Sequence, residues 1–203
     1  MKLALVYTPE EIHPDIIGWL TEGWQGNPKE VIPFLKHLAV LRQGAVLKAD
    51  GLIVAEEGIV LVPDFQDKVA RILSKLPPQY TTCLFSHYVS SWKDIKYIDN
   101  TDNQLCNTTD NVHGSFCYWI RMSHLEHLLA MFDQPLRNIP HLKLNPERFS
   151  RFGQVCMVCT PLAARLDQEN FRTYFSHYGF SEKDKKDILP SILDKDEKED
   201  KNV

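Results

Sequence analysis

Three observations in the sequence predict a single-domain α/β fold with a mostly parallel central sheet and helices on both faces. Apolar runs of strand length alternate with segments of helical spacing. The best of those runs, "GLIVA", is continuously apolar, as in strands buried on both faces. Polar clusters then follow several strands at the carboxyl edge, where sheets of this kind bind ligands.

The elements follow in order. "KLALVYT" reads as a first strand, and Thr8-Pro9-Glu10-Glu11 as the polar turn after it. Asn27-Pro28-Lys29-Glu30 supplies a cap residue, a proline at the first helical position and an early acid. Val31, Phe34, Leu35, Leu38 and Leu41 share one face of the helix that follows, with Pro33 early enough to be tolerated. "GLIVA" is a buried strand, and "IVLVPDF" continues extended after Glu56-Glu57-Gly58. Val69, Ile72, Leu73 and Leu76 mark a second helix that Pro77-Pro78 stops. "YTTCLFSHYV" and, after Gly114, "SFCYWIR" are further strands. Ser123 to Glu126 reads as a capping box for the next helix. "PERFSRFG" is a short helix ended by Gly153, and "QVCMVCTP" a last strand ended by Pro161.

Bulk properties narrow the function classes. The 203 residues are 43% hydrophobic and 25% charged, ordinary for a globular domain. No apolar run approaches the ~20 residues of a membrane span, and the opening "MKLALVYTPEE" is too briefly apolar for a signal peptide. Five cysteines, an odd number, are expected as reduced thiols in a cytoplasmic compartment. A net charge of −4 argues against nucleic acid as a partner. From Glu182 onward the chain holds eight acids and six lysines. Such a segment buries too little to fold alone, so the expected division is a domain over 1–181 and a charged tail or linker over 182–203, with room for further domains beyond.

Three places carry chemistry. Adjacent carboxylates Glu56 and Glu57 at a strand's carboxyl end offer hard oxygen ligands to a divalent cation; the plainer alternative is a solvated turn. The loop "NTTDNVHG" gathers Asn107, Thr108, Thr109, Asp110, Asn111 and His113 before Gly114. Glycine there permits close approach, and Asp110 or His113 could take a proton; an ordinary polar loop is the alternative. Cys156-x-x-Cys159 has zinc-knuckle spacing but lies in an apolar strand, so buried structural thiols are expected. His124 and His127 flank Glu126 without metalloprotease spacing.

The segments "GLIVAEEGIVLVPDFQDKVARIL", "VHGSFCYWIRMSHLEHLL" and "VCMVCTPLAARLDQ" together resemble the small GT-A-type glycosyltransferases. The resemblance is to the lipooligosaccharide glycosyltransferase family (family twenty-five) and to small sugar transferases of large DNA viruses, between Val31 and Gln168. It implies a GT-A-like fold, a nucleotide-diphosphate sugar donor, a glycan or glycoprotein acceptor, and transfer of a hexosyl or deoxyhexosyl group. Glu56 and Glu57 match the first two acids of the family's metal-binding triplet, which implies Mn2+ or Mg2+. Gly114 and Tyr118 match its acceptor-side segment, and Pro161 and Gln168 its final motif. Gly58 stands where the family has a third acid, and the amino-terminal part is short.

On this reading Thr8, His113, Gly114, Tyr118 and Gln168 contact substrate, and Trp92, Trp119 and Tyr118 either stack on sugars or pack the core. An inverting reaction needs a general base, with Asp110 first and Glu126 second; a retaining one needs none. The rival readings are a catalytically inactive glycosyltransferase-like binding domain and a nucleotidyltransferase.

Overall fold

The computed structural model describes residues 1–22, 28–89, 91–132, 147–159 and 162. All belong to one compact unit, Met1–Ala164. The expected boundary at 181/182, the cap residue Asn27, and the positions Pro161 and Gln168 lie outside the described residues.

Eleven elements follow one another: β1 (Leu3–Tyr7), α1 (Pro14–Thr21), α2 (Pro28–Ala45), β2 (Gly51–Ala55), α3 (Phe65–Ser74), β3 (Thr82–Val89), β4 (Leu105–Asn107), β5 (Val112–Arg121), α4 (Met122–Met131), α5 (Glu147–Ser150) and β6 (Val155–Val158). They form an α/β structure around a six-stranded mixed sheet in the order β1-β2-β5-β3-β6-β4. Strands β1, β2, β3 and β6 run one way, and β4 and β5 the other. Direction is thus mostly parallel, but β5 lies between β2 and β3, so antiparallel pairings outnumber parallel ones. The sequence did not show this, because β5 is as continuously apolar as a parallel strand and is buried for the same reason, covered on both faces.

Helices cover both faces. On one, Phe34, Leu35, Leu38 and Leu41 of α2 pack with Leu52, Val54, Tyr118, Ile120 and Met157 of the sheet, beside Leu125 and Leu128 of α4 and Phe149 of α5. Phe34, Phe132 and Phe149 form an aromatic cluster with ring centroids 4.6 to 5.3 Å apart. On the other face α3 buries Phe65, Val69, Ile72 and Leu73. Phe65 stands edge-on to Phe85 of β3, 5.8 Å between centroids. All five residues of β2 are buried, as its unbroken apolar run requires.

One local expectation fails, and two elements go beyond those expected. Ser123 does not cap α4: Arg121 is the cap position, in extended conformation and without a side-chain cap bond, because β5 runs straight into the helix. "IVLVPDF" belongs to no named strand, but Leu61 is bridged in β fashion and Val62 N–H donates to Leu162 O before Asp64 turns the chain into α3 with φ 57°. Helix α1 starts at Pro14 with the His13 ring accepting from Asp15 N–H, a cap the usual residue types do not signal. Strand β4 is three residues inside a polar stretch, too short for periodicity to reveal.

Trp119 belongs to the core, 1% exposed. Its indole occupies the space beside Gly51, where an added Cβ would lie 1.9 Å from Nε1. Gly51→Ala is therefore expected to destabilise the fold by about 2–4 kcal/mol through overpacking. Denaturant unfolding of the two chains measures it, and an unchanged midpoint would contradict the packing described.

Candidate functional site

Parallel pairing of β1 with β2 sets Tyr7 opposite Ala55, so the residues leaving the two strands, Thr8 and Glu56, emerge side by side. Backbone bonds hold them there. Thr8 N–H donates to Ala55 O at 2.9 Å, and Glu56 N–H to Phe116 O of β5 at 2.7 Å. Glu57 N–H donates to the hydroxyl of buried Thr8 at 3.1 Å. Ile59 N–H then closes on Glu56 O at 3.3 Å, making Glu56-Glu57-Gly58-Ile59 a β-turn.

Gly58 has φ 78° and Glu57 a negative φ, the pattern of a type II turn, which favours glycine as its third residue. Glycine is thus the residue this turn favours, although Asp64, Asp94 and Asp102 of the same chain also adopt positive φ. Gly58→Ala is expected to cost about 1 kcal/mol, and Gly58→Asn less, since asparagine tolerates positive φ; thermal or denaturant unfolding compares them.

Glu56 is held from below. Its Oε1 lies 3.1 Å from His37 Nε2, and His37 Nδ1 lies 3.1 Å from the Tyr118 hydroxyl. His37 is 1% exposed and Tyr118 fully buried, whereas the Glu56 side chain keeps 19% of its surface open. Burial first, then the charge of Glu56, pushes the Tyr118 phenol well above its ordinary value, so it keeps its proton. A consistent assignment has the phenol donating to Nδ1 and Nε2–H donating to the carboxylate. The imidazole also lies nearly parallel to the rings of Tyr118 and Phe149, with centroids 5.8 and 6.2 Å away.

The result is a carboxylate oriented by a fixed imidazole, with one oxygen committed and the other open toward the sheet's carboxyl edge. His37 was missed in sequence, yet a signal exists. It falls between Phe34 and Leu41 on the apolar stripe of α2, and a polar residue there must find a buried partner. Tyr118→Phe removes the donor from a buried ring nitrogen and should cost about 1–3 kcal/mol. Equilibrium unfolding is the check, with Tyr97→Phe, an exposed site, as a control expected near zero.

On β5, His113 pairs with Tyr88 and Cys117 with Ser86, so β5 carries two extra residues there. Gly114 (φ 109°) sits in that irregularity, where a Cβ would come within 3.3 Å of His87 Cα. The close approach it permits is between strands. His87 has a buried Nδ1 without a hydrogen-bond partner among the described residues, and burial lowers it to about 4. An imidazole held neutral in the fold and titrating near 6.5 when unfolded stabilises fully above pH 6.5. That contribution fades as pH falls toward 4, by about 2–3 kcal/mol in all. Unfolding free energies at pH 7.5 and 4.5 should show the loss, and His87→Gln should shrink it.

The other expected residues are dispersed. Asp110 is exposed, its Oδ1 4.0 Å from Arg151 Nη1. It lines a cavity of about 420 Å3 with Tyr80, Thr108, Thr109, Arg151 and Gln154, which neither Thr8 nor Glu56 nor Glu57 lines. Much of its polar lining is already engaged: Thr108 Oγ1 donates to Val155 O, Thr109 Oγ1 accepts from Asn111 N–H, and Arg151 donates to Val112 O. Glu126 is exposed on α4, which begins at the opposite end of β2: Arg121 pairs with Gly51, and Met122 N–H donates to Asp50 O. Trp92 is exposed, and Tyr118 is too deeply buried to stack on a ligand.

The edge offers few donors to a divalent cation. Glu57 is exposed on the turn, Glu56 has one oxygen committed to His37, and no cluster of three His, Cys, Asp or Glu residues suited to a metal exists among the described residues. These donors do not assemble a cation site by themselves. Cys156 is buried, with its thiol donating toward Thr82 O, and Cys159 faces Cys106 instead.

No helix among the described residues is long and apolar enough to cross a membrane. No protein-family model matches the chain, and no curated protein is similar enough to count as a relative.

Proposed function

We propose that this chain is a glycosyltransferase, moving a sugar from a nucleotide-diphosphate sugar to a hydroxyl of a glycan or glycoprotein. One juxtaposition supports the reading. The acidic turn after β2 and the His-Gly segment of β5, recognised separately in sequence as resembling that enzyme class, are neighbours at one sheet edge, joined by Glu56 N–H to Phe116 O, with Thr8 beside them. In the transfer an acceptor oxygen bonds to the anomeric carbon as the bond to the diphosphate breaks. Glu56, fixed by His37, is the group best placed to orient a polar ligand at that edge. Asp110 lines a cavity that Thr8, Glu56 and Glu57 do not, so it does not share the edge with the donor this reading places there. Mn2+ or Mg2+ would have to take most of its ligands from the diphosphate and water, since only Glu57 and one oxygen of Glu56 remain to it.

The same commitment of Glu56 to His37 favours a second reading, a catalytically inactive glycosyltransferase-like binding domain. Calorimetric titration with a panel of UDP- and GDP-sugars, with and without Mn2+, followed by product analysis, separates the two. The enzyme reading expects micromolar binding of one donor, at least tenfold weaker in Glu56→Gln, and transfer of its sugar to an acceptor. Binding without transfer to any acceptor leaves the binding domain, and no binding across the panel rejects both.

A further inference from the structure

Cys106 and Cys159 stand apart from the other thiols. Cys106 is in the edge strand β4 and Cys159 follows β6, and the antiparallel pairing of these strands brings their sulfurs to 2.7 Å. Cys159 N–H donates to Gln104 O at 2.9 Å, which fixes the backbone on both sides of the pair. Cys159 is half-buried and lines a cavity of about 220 Å3 with Lys68, Arg71, Asn103, Gln104 and Leu162. Cys83, Cys117 and Cys156 are buried. Cys106 is buried like those three, so within the contacting pair Cys159 alone meets a small reagent, through a cavity that carries two cationic side chains.

We infer that Cys106 and Cys159 are a dithiol modification site, oxidised by an anionic small-molecule disulfide to a bond that staples β4 to the end of β6. In the first step the Cys159 thiolate attacks one sulfur of the reagent. A mixed disulfide forms, and half of the reagent leaves as a thiolate. The Cys106 thiolate then attacks Cys159 Sγ; the protein disulfide forms and the second half leaves. Two protein thiols are oxidised, one reagent disulfide is reduced to two thiols, and the two protons pass to the departing thiolates. Burial, and then the Cys106 thiol against it, holds Cys159 up to about 12. Thiolate is therefore scarce at neutral pH even with Lys68 and Arg71 on the cavity wall, and the exchange is slow, setting an oxidation state over hours rather than sensing a pulse.

The bond would tie residues 53 apart in sequence and hold the strand that leads into the Asp110 loop. It does not depend on what the Glu56 edge binds.

The test uses the full reduced chain under native conditions, incubated with oxidised glutathione and quenched by alkylation at intervals. Mass analysis of intact protein and of peptides is expected to show loss of two hydrogens and a Cys106–Cys159 link, at least tenfold ahead of any other pairing. The oxidised chain should unfold on the order of 10 °C higher than the reduced one. Cys159→Ser should form no internal link, and mapping of the unaltered chain stands whether or not that variant folds. A different pairing formed as fast, a glutathione adduct on Cys159 that never resolves, or no reaction within a day would each overturn the inference.

Discussion

Strand β5 has to satisfy hydrogen bonds along both edges and bury side chains on both faces, and most of the architecture follows from how it does so. It pairs with β2 over Gly51–Ala55 and with β3 over Thr82–Val89, so it joins the two parts of the sheet. Because it runs against both, its two ends lie at opposite edges. Toward the amino-terminal end Phe116 O accepts from Glu56 N–H, while His113 pairs with Tyr88 of β3; the carboxyl-terminal end hands the chain to α4 beside Asp50. One strand direction thus decides that Glu126 and Glu56 are not at the same edge. It also separates Tyr118 from Trp119. Neighbours on a strand point to opposite faces, so the phenol meets His37 while the indole lies against Gly51.

The polar chain Glu56–His37–Tyr118 crosses from the sheet edge into the core, and its energetics constrain what Glu56 can do. Leaving a buried polar group unpaired costs about 1–3 kcal/mol, so His37 ties Glu56 and Tyr118 into a unit in which no member is lost cheaply. The phenol cannot release its proton readily, and the imidazole cannot rotate without breaking contact with two rings. Glu56 is therefore pre-oriented, which suits binding a polar group at the edge. The same bond withdraws one oxygen from any cation. Orientation and metal ligation compete for a single carboxylate, and the geometry favours orientation.

The legible parts of the fold are those where burial imposes one pattern over a long stretch. "GLIVA", the α2 stripe and "DKVARIL" were readable because each buries a defined face. Strand direction was not, since an antiparallel strand covered on both sides is apolar in the same way as a parallel one. At the edge, the Glu pair, Thr8 and Gly114 were visible as polar or glycine breaks in apolar runs, whereas His37 was hidden by lying inside a helix whose stripe it interrupts. The Asp110 loop and the Glu56 turn are both polar and both follow strands. Only the path of β4 to β5 shows that the loop opens on its own cavity.

Gly58 belongs to the turn and does not by itself decide between the two proposed readings. Its positive φ belongs to a turn whose first carbonyl and last N–H are bonded, and whose second residue is tied to Thr8. An aspartate could adopt that backbone, as Asp64, Asp94 and Asp102 do at φ 51 to 65°, at a small cost that glycine avoids. The turn therefore favours glycine without excluding a third acid. On the glycosyltransferase reading proposed above, a cation at this edge would take most of its ligands from the diphosphate and water. Whichever of the two proposed readings holds, what the fold fixes at the edge is one anchored carboxylate, Glu56.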